Sequence, residues 1–160
     1  MLIQAMVVQA KAAQSRTSGG AWEETSLSAA AEVVPFLDRV EAAMTDLGNS
    51  PRTCWELRLV LEEAIVNALK HGNGGDPSKQ VHIYYYVGPG AVLADIEDEG
   101  PGFDPWSIPD PTLPENLDRP SGRGLFLMRS YTTWVSYYGR GNIVTLCKLR
   151  PAEGAEQLRY

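Results

Sequence analysis

The chain is poor in cysteine, in basic clusters and in long apolar runs, and each shortage closes off a class of protein. It has two cysteines in 160 residues, Cys54 and Cys147, too few and too far apart for a metal-binding set or a CxxC redox motif. They read as two buried free thiols in a reducing compartment rather than a disulfide. Lys and Arg number 14 against 20 Asp and Glu, for a net charge of -6. No basic patch stands against that field, which excludes unspecific binding to nucleic acid or to an anionic membrane. No apolar stretch reaches the roughly 20 residues of a membrane span. The opening "MLIQAMVVQAKAAQ" is apolar but lacks the basic leader of a signal peptide. The expected location is cytoplasmic.

What is present is a globular composition, 44% hydrophobic, long enough for one domain with a real core. Residues 1–20 end in "SRTSGG" and read as a flexible tail, residues 21–150 as the domain and 151–160 as a second tail. "AWEETSLSA" has the partial alternation of an edge strand. Val33, Phe36, Leu37, Val40 and Ala43 recur at helical spacing and predict a helix over about Ala29 to Leu47. Gly48 can cap it, and Pro51 can open a second helix running to about His71. "QVHIYYYV" and "AVLADIED" alternate as two strands around a "VGPG" turn. Six of the 11 prolines then fall between Pro101 and Pro120, which excludes a long helix or a central strand there. "SGRGLFLMRSY" reads as a glycine turn feeding a helix, and "TWVSYY" with "NIVTLCKL" as a closing hairpin around "GRGN". The order predicts an α+β two-layer sandwich: a mixed, mostly antiparallel sheet with helices on one face.

Three pieces carry chemistry. On the second helix Leu57, Val60, Leu61, Ala64, Ile65 and Ala68 make the apolar face, and Glu63, Asn67 and His71 run along its edge at four-residue steps. A solvated edge has that pattern, and so does one wall of a site. In "DIEDEGPGFD", Val92, Ala94, Ile96 and Asp98 share one strand face, so Asp98 turns inward with the apolar residues. Gly100, Pro101 and Gly102 leave no bulk beside it. An inward carboxylate there either caps its own turn or accepts a hydrogen bond from an amino group on a flat heterocycle. In "SGRGLFLM", Gly122 and Gly124 open a helix whose free N–H groups suit a phosphate, with Arg123 able to add charge. One ligand unites the three: its base on Asp98, its phosphates on the glycine turn, and Mg²⁺ on the Asn67 amide oxygen.

"EEAIVNALKHGN", "DEGPGFD" and "SGRGLFLM" resemble, in order and spacing, the N, G1 and G2 boxes of the Bergerat-fold (GHKL) ATPases, the superfamily of the histidine-kinase-like ATPase domain. The resemblance covers about Trp22 to Leu149. It is closest to the bacterial anti-sigma factor serine/threonine kinases, which are a lone ATPase domain of this size. A sensor histidine kinase would need a phospho-accepting helix pair, and the only histidines are His71 and His82.

The resemblance implies roles residue by residue. Glu63 is the general base. Asn67 is the Mg²⁺ ligand, and His71 and Gly72 lie near the nucleotide. Asp98 receives the adenine amino group, supported by Gly100 and Gly102. Phe103 to Ser121 form the ATP lid, and Gly122, Arg123, Gly124 and Leu125 bind phosphates. Either Arg119 or Arg123 would meet the terminal phosphate. The implied cofactors are ATP and Mg²⁺. The implied partners are an anti-anti-sigma protein of the STAS type and a sigma factor, with a homodimer among the assemblies the resemblance allows. The implied function is phosphorylation of the anti-anti-sigma partner and sequestration of the sigma factor. The alternative is a nucleotide-gated binding module without significant phosphotransfer. Many relatives carry an acidic residue in a D-x-V pattern after the G2 helix, where this chain has Thr133-Trp134-Val135.

Overall fold

A computed structural model describes residues 22–104, 107 and 123–150. The two tails, most of the Pro-rich lid, and Arg119, Ser121 and Gly122 lie outside the described residues. The elements are β1 (Trp22–Leu27), a single 3-10 turn (Ala30–Glu32), α1 (Val33–Asp46), α2 (Pro51–Asn67), a wide π turn (Ala68–Gly72), β2 (Val81–Val87), β3 (Ala91–Asp98), α3 (Arg123–Tyr131), β4 (Trp134–Tyr138) and β5 (Ile143–Leu149). The strands form one sheet in the order β1-β2-β3-β5-β4. All four pairings are antiparallel, so the sheet is not mixed among the described residues.

Local sequence explains where the helices begin and end. Before α1 the Glu32 carboxylate accepts the backbone N–H groups of Ser28 and Ala29, at 2.7 and 2.9 Å. At its far end Gly48 takes φ +75°. Its N–H bonds the Thr45 carbonyl at 2.9 Å and the next N–H, of Asn49, bonds the Met44 carbonyl at 3.0 Å. That pair of bonds satisfies two orphan carbonyls, and the φ is one that glycine adopts without a Cβ penalty. Ser50 then caps α2 through its hydroxyl, which accepts from the Thr53 N–H, with Pro51 in the first helical position.

The core lies between the helices and one face of the sheet. Phe36, Leu37 and Met44 from α1 and Leu57, Val60 and Ile65 from α2 are fully buried against Ile83, Ile96 and Leu146. Each such side chain contributes roughly 1.5–3 kcal/mol of apolar burial. Cys54 and Cys147 are both buried and free, as the spacing implied. They lie in different clusters, Cys54 under the helices and Cys147 on the opposite sheet face.

The second helix departs from the expected regular course to His71. After Asn67 the backbone widens, and the Asn73 N–H reaches back five residues to the Ala68 carbonyl at 2.8 Å. His71 lies within this turn and is exposed. Asn73 closes the turn. It is 3% exposed, donates from Nδ2 to the Gln80 carbonyl at 2.9 Å and accepts the Glu99 N–H on Oδ1 at 2.8 Å. One side chain thus joins the helix end to the start of β2 and the end of β3. Asn73→Ala leaves two part-buried backbone groups without partners, and the expected loss is about 2 kcal/mol of unfolding free energy. Urea unfolding measures it directly, and an unchanged midpoint would remove Asn73 from this role.

Candidate functional site

The three chemical pieces line one cavity of about 490 Å³, within the 300–1,000 Å³ range of small-molecule sites. The last turns of α2 and the π turn make one wall. The end of β3 makes the floor, and the start of α3 with β4 and β5 makes the other wall. Of the residues singled out in the sequence, Glu63, Asn67, His71, Gly72, Asp98, Gly102, Phe103, Gly124 and Leu125 line it. Gly100 sits behind Asp98. Arg123 begins α3, but its side chain lies outside the described residues, as do Ser121, Gly122 and the lid beyond Asp104 apart from Ser107.

At the inner end Asp98 points inward from β3, as the alternation required. Its Oδ1 accepts the Gly100 N–H at 2.8 Å, a bond that leaves the other oxygen for a ligand. The carboxyl is pressed against backbone. A Cβ on Gly72 would stand 2.2 Å from the Asp98 Cγ, and one on Gly100 would stand 1.9 Å from the Gly72 carbonyl oxygen. No side chain fits at either position. Burial pushes the Asp98 pKa up, against the opposing pull of the Gly100 N–H and the Arg140 charge.

The β4–β5 turn holds this end from the far side. The Asp98 N–H donates to the Asn142 carbonyl at 3.0 Å, and Asn142 Nδ2 returns a bond to the Asp98 carbonyl at 2.9 Å. Arg140 donates from Nε and Nη2 to the Gly100 carbonyl, at 3.0 and 2.8 Å. In the sequence, "GRGN" signals only a hairpin turn. No local signal marks Arg140 and Asn142, because their partners lie about forty residues away and depend on the β3–β5 register.

At the other end Asn67 Nδ2 donates to Glu63 Oε1 at 3.0 Å. A Cβ on Gly124 would lie 2.1 Å from that same oxygen, so the Glu63 carboxylate rests on the first turn of α3. A negative charge is favoured at that helix end. Tyr137, not among the residues singled out in the sequence, lines the cavity nearby. Its inward place follows the alternation of β4 with Val135, so period two was the signal available. Burial pushes its hydroxyl up to about 12, with Arg129 opposing and the Glu63 charge adding. Phe103 packs edge-on against Tyr137 at 5.0 Å. Ile96, Leu125, Met128 and Val144 give the cavity apolar surface between its two polar ends.

The raised Asp98 pKa has a sign in stability. Between the ordinary aspartate value and the raised one, the folded chain binds more protons than the unfolded chain, so stability falls as pH rises through that window. At neutral pH and without ligand, Asp98→Asn is therefore expected to melt above the parent chain. The difference should shrink as pH is lowered into the acid range. Melting curves of both proteins at several pH values check this, and a variant less stable at every pH would contradict it.

Residues 26–148 match the family model described as a histidine kinase-like ATPase domain. The chain is 30% identical over 122 residues to the anti-sigma F factor of Geobacillus sp. (strain WCH70), covering 72% of this chain and 78% of that protein. It is 32% identical over 121 residues to the anti-sigma F factor of Geobacillus stearothermophilus, with 68% and 78% covered. The anti-sigma F factor of Anoxybacillus flavithermus is 30% identical over 98 residues, with 59% and 66% covered. The chain thus spans between two thirds and four fifths of the length of these relatives. With residues from each of the three boxes lining one cavity in an α+β sandwich, this chain belongs to the histidine kinase-like ATPase family and has anti-sigma F factors among its relatives.

Proposed function

We propose that this chain is an anti-sigma regulatory factor that binds Mg-ATP in the cavity and phosphorylates a serine or threonine of an anti-anti-sigma partner of the STAS type. In the alternate state it sequesters a sigma factor. The observation that carries this reading is that one cavity holds both a half-buried inward carboxylate, Asp98, and a hydrogen-bonded acid–amide pair, Glu63 and Asn67. An ATPase domain implies ATP as the ligand. The finer assignments are supported by the donor and acceptor chemistry of each end.

At the inner end the remaining Asp98 oxygen is an acceptor suited to the adenine amino group, with apolar side chains flanking the ring. At the outer end Gly124 and the start of α3 offer backbone N–H groups to the phosphates, with Gly122 before them in sequence. The Asn67 amide already uses its nitrogen on Glu63, so its oxygen is the atom suited to a hard cation. Mg²⁺ there would neutralise phosphate charge. Glu63 accepts the proton of the attacking hydroxyl. The new bond joins that oxygen to the γ-phosphorus, the bond to the β-phosphate oxygen breaks, and ADP leaves. The added phosphate charge on the partner then weakens its complex. Among the described residues no helix is long and apolar enough to cross a membrane. We place the protein in the cytoplasm, where a sigma factor is met.

One observation favours the second reading, a nucleotide-gated binding module without significant transfer. Glu63 Oε1 is engaged by Asn67 Nδ2 and rests against Gly124, so only Oε2 is left to take a hydroxyl proton.

Two variants separate the readings. Glu63→Ala is expected to keep thermal protection by Mg-ATP and to lose transfer of radiolabelled γ-phosphate to the partner. Asp98→Ala is expected to lose the protection itself, about 2.7 kcal/mol at a ligand concentration of 100 times Kd. A wild-type chain that binds partner and ATP yet leaves the partner unlabelled would establish the second reading instead.

A further inference from the structure

The helices cover one face of the sheet, and the other face carries an apolar band. Following the register across all five strands, Trp22, Tyr86, Leu93, Cys147 and Trp134 stand opposite one another in a single row. The next row is polar apart from Tyr84: Glu24, Tyr84, Asp95, Thr145 and Ser136. An antiparallel sheet in a two-layer fold can leave its second face to water. Here Tyr86, Leu93 and Cys147 are each only 3% exposed, and their cluster contains sheet residues and no residue of α1, α2 or α3. Trp22 extends the aromatic surface by stacking on Tyr84 at 4.7 Å. An apolar band of this kind, confined to one end of the sheet, marks a covered surface rather than a solvent face.

We infer that the occupant of this band is the chain's own segment 1–14. Three features of sequence and register support it. Trp22, where β1 begins, is itself the first member of the row, so the preceding chain arrives at the band. Leu2, Ile3, Met6, Val7 and Ala10 recur at helical spacing. Fourteen residues in a helix would measure about 21 Å, and a row crossing five strands measures about 19 Å. The linker over 15–21, "SRTSGGA", is long enough to fold back, at most about 24 Å. The segment 151–160 is the poorer fit, since its large apolar residues are only Leu158 and Tyr160. The band lies across the sheet from the cavity, so the inference is independent of the nucleotide reading.

The two cysteines supply the test. Cys147 sits in the band, where burial pushes its thiol up to about 11, and Cys54 sits in the other core as an internal control. Maleimide labelling followed by peptide mass analysis reads each separately. In the full chain both are expected to label slowly. Removal of residues 1–14 is expected to speed Cys147 at least about tenfold while leaving Cys54 unchanged. If the truncated chain does not fold, the full-length Ile3→Asp, Met6→Asp double variant is expected to give the same selective acceleration with its helical circular dichroism retained. The inference is overturned if Cys147 labels at one rate in all these proteins. It is also overturned if removal of 151–160 alone exposes Cys147. A Cys147 rate in the full chain that falls with protein concentration overturns it too, since a second copy would then be the cover.

Discussion

The site depends on one close contact: the Asp98 carboxyl wedged between the backbones of Gly72 and Gly100. Three stretches of chain meet there, the end of the π turn, the end of β3 and the loop that follows. They meet only because two of the positions lack a Cβ. The contact takes a carboxylate out of water and raises its pKa, a cost borne by the ligand-free protein. A group held at that cost, with one oxygen satisfied by its own turn and the other facing a cavity, is arranged for a ligand rather than for stability.

Everything around that contact serves to hold it. Asn73 joins the π turn to β2 and β3, and Arg140 and Asn142 clamp the same loop from the β4–β5 turn. The sheet transmits the clamp, because the β3–β5 register brings Asn142 beside Asp98. The opposite end of the cavity is built more loosely. Glu63 and Asn67 are a single hydrogen-bonded pair on α2, resting on the first turn of α3 just after the lid. On the proposed reading the clamped end meets the base and the Glu63–Asn67 end meets the phosphates.

Much of this was legible in the sequence where one short period governs. The alternation of Val92, Ala94 and Ile96 places Asp98 inward, and the four-residue step from Glu63 to Asn67 places that pair on one wall. Gly48, Ser50 and Pro51 mark the break between the helices. The features that escaped are those set by tertiary closure. The π turn has no propensity signal; it accompanies the docking of Gly72 on Asp98. Arg140 and Asn142 act on groups some forty residues away. Alternation in β2 puts Tyr86 on the outer face, but only the alignment of five strands shows that it joins a buried row with Leu93 and Cys147. The sheet expected to be mixed is antiparallel throughout its described pairings, since each strand's neighbour follows from a hairpin or a return connection.

The central claim is that the Asp98 oxygen accepts a hydrogen from the amino group of adenine. Titration calorimetry with ATP and with N6,N6-dimethyl-ATP, which has no hydrogen there to give, tests it most directly. The account predicts heat and saturable binding with ATP, and an affinity lower by about ten- to a hundredfold for the dimethyl analogue. Equal affinities for the two would contradict it.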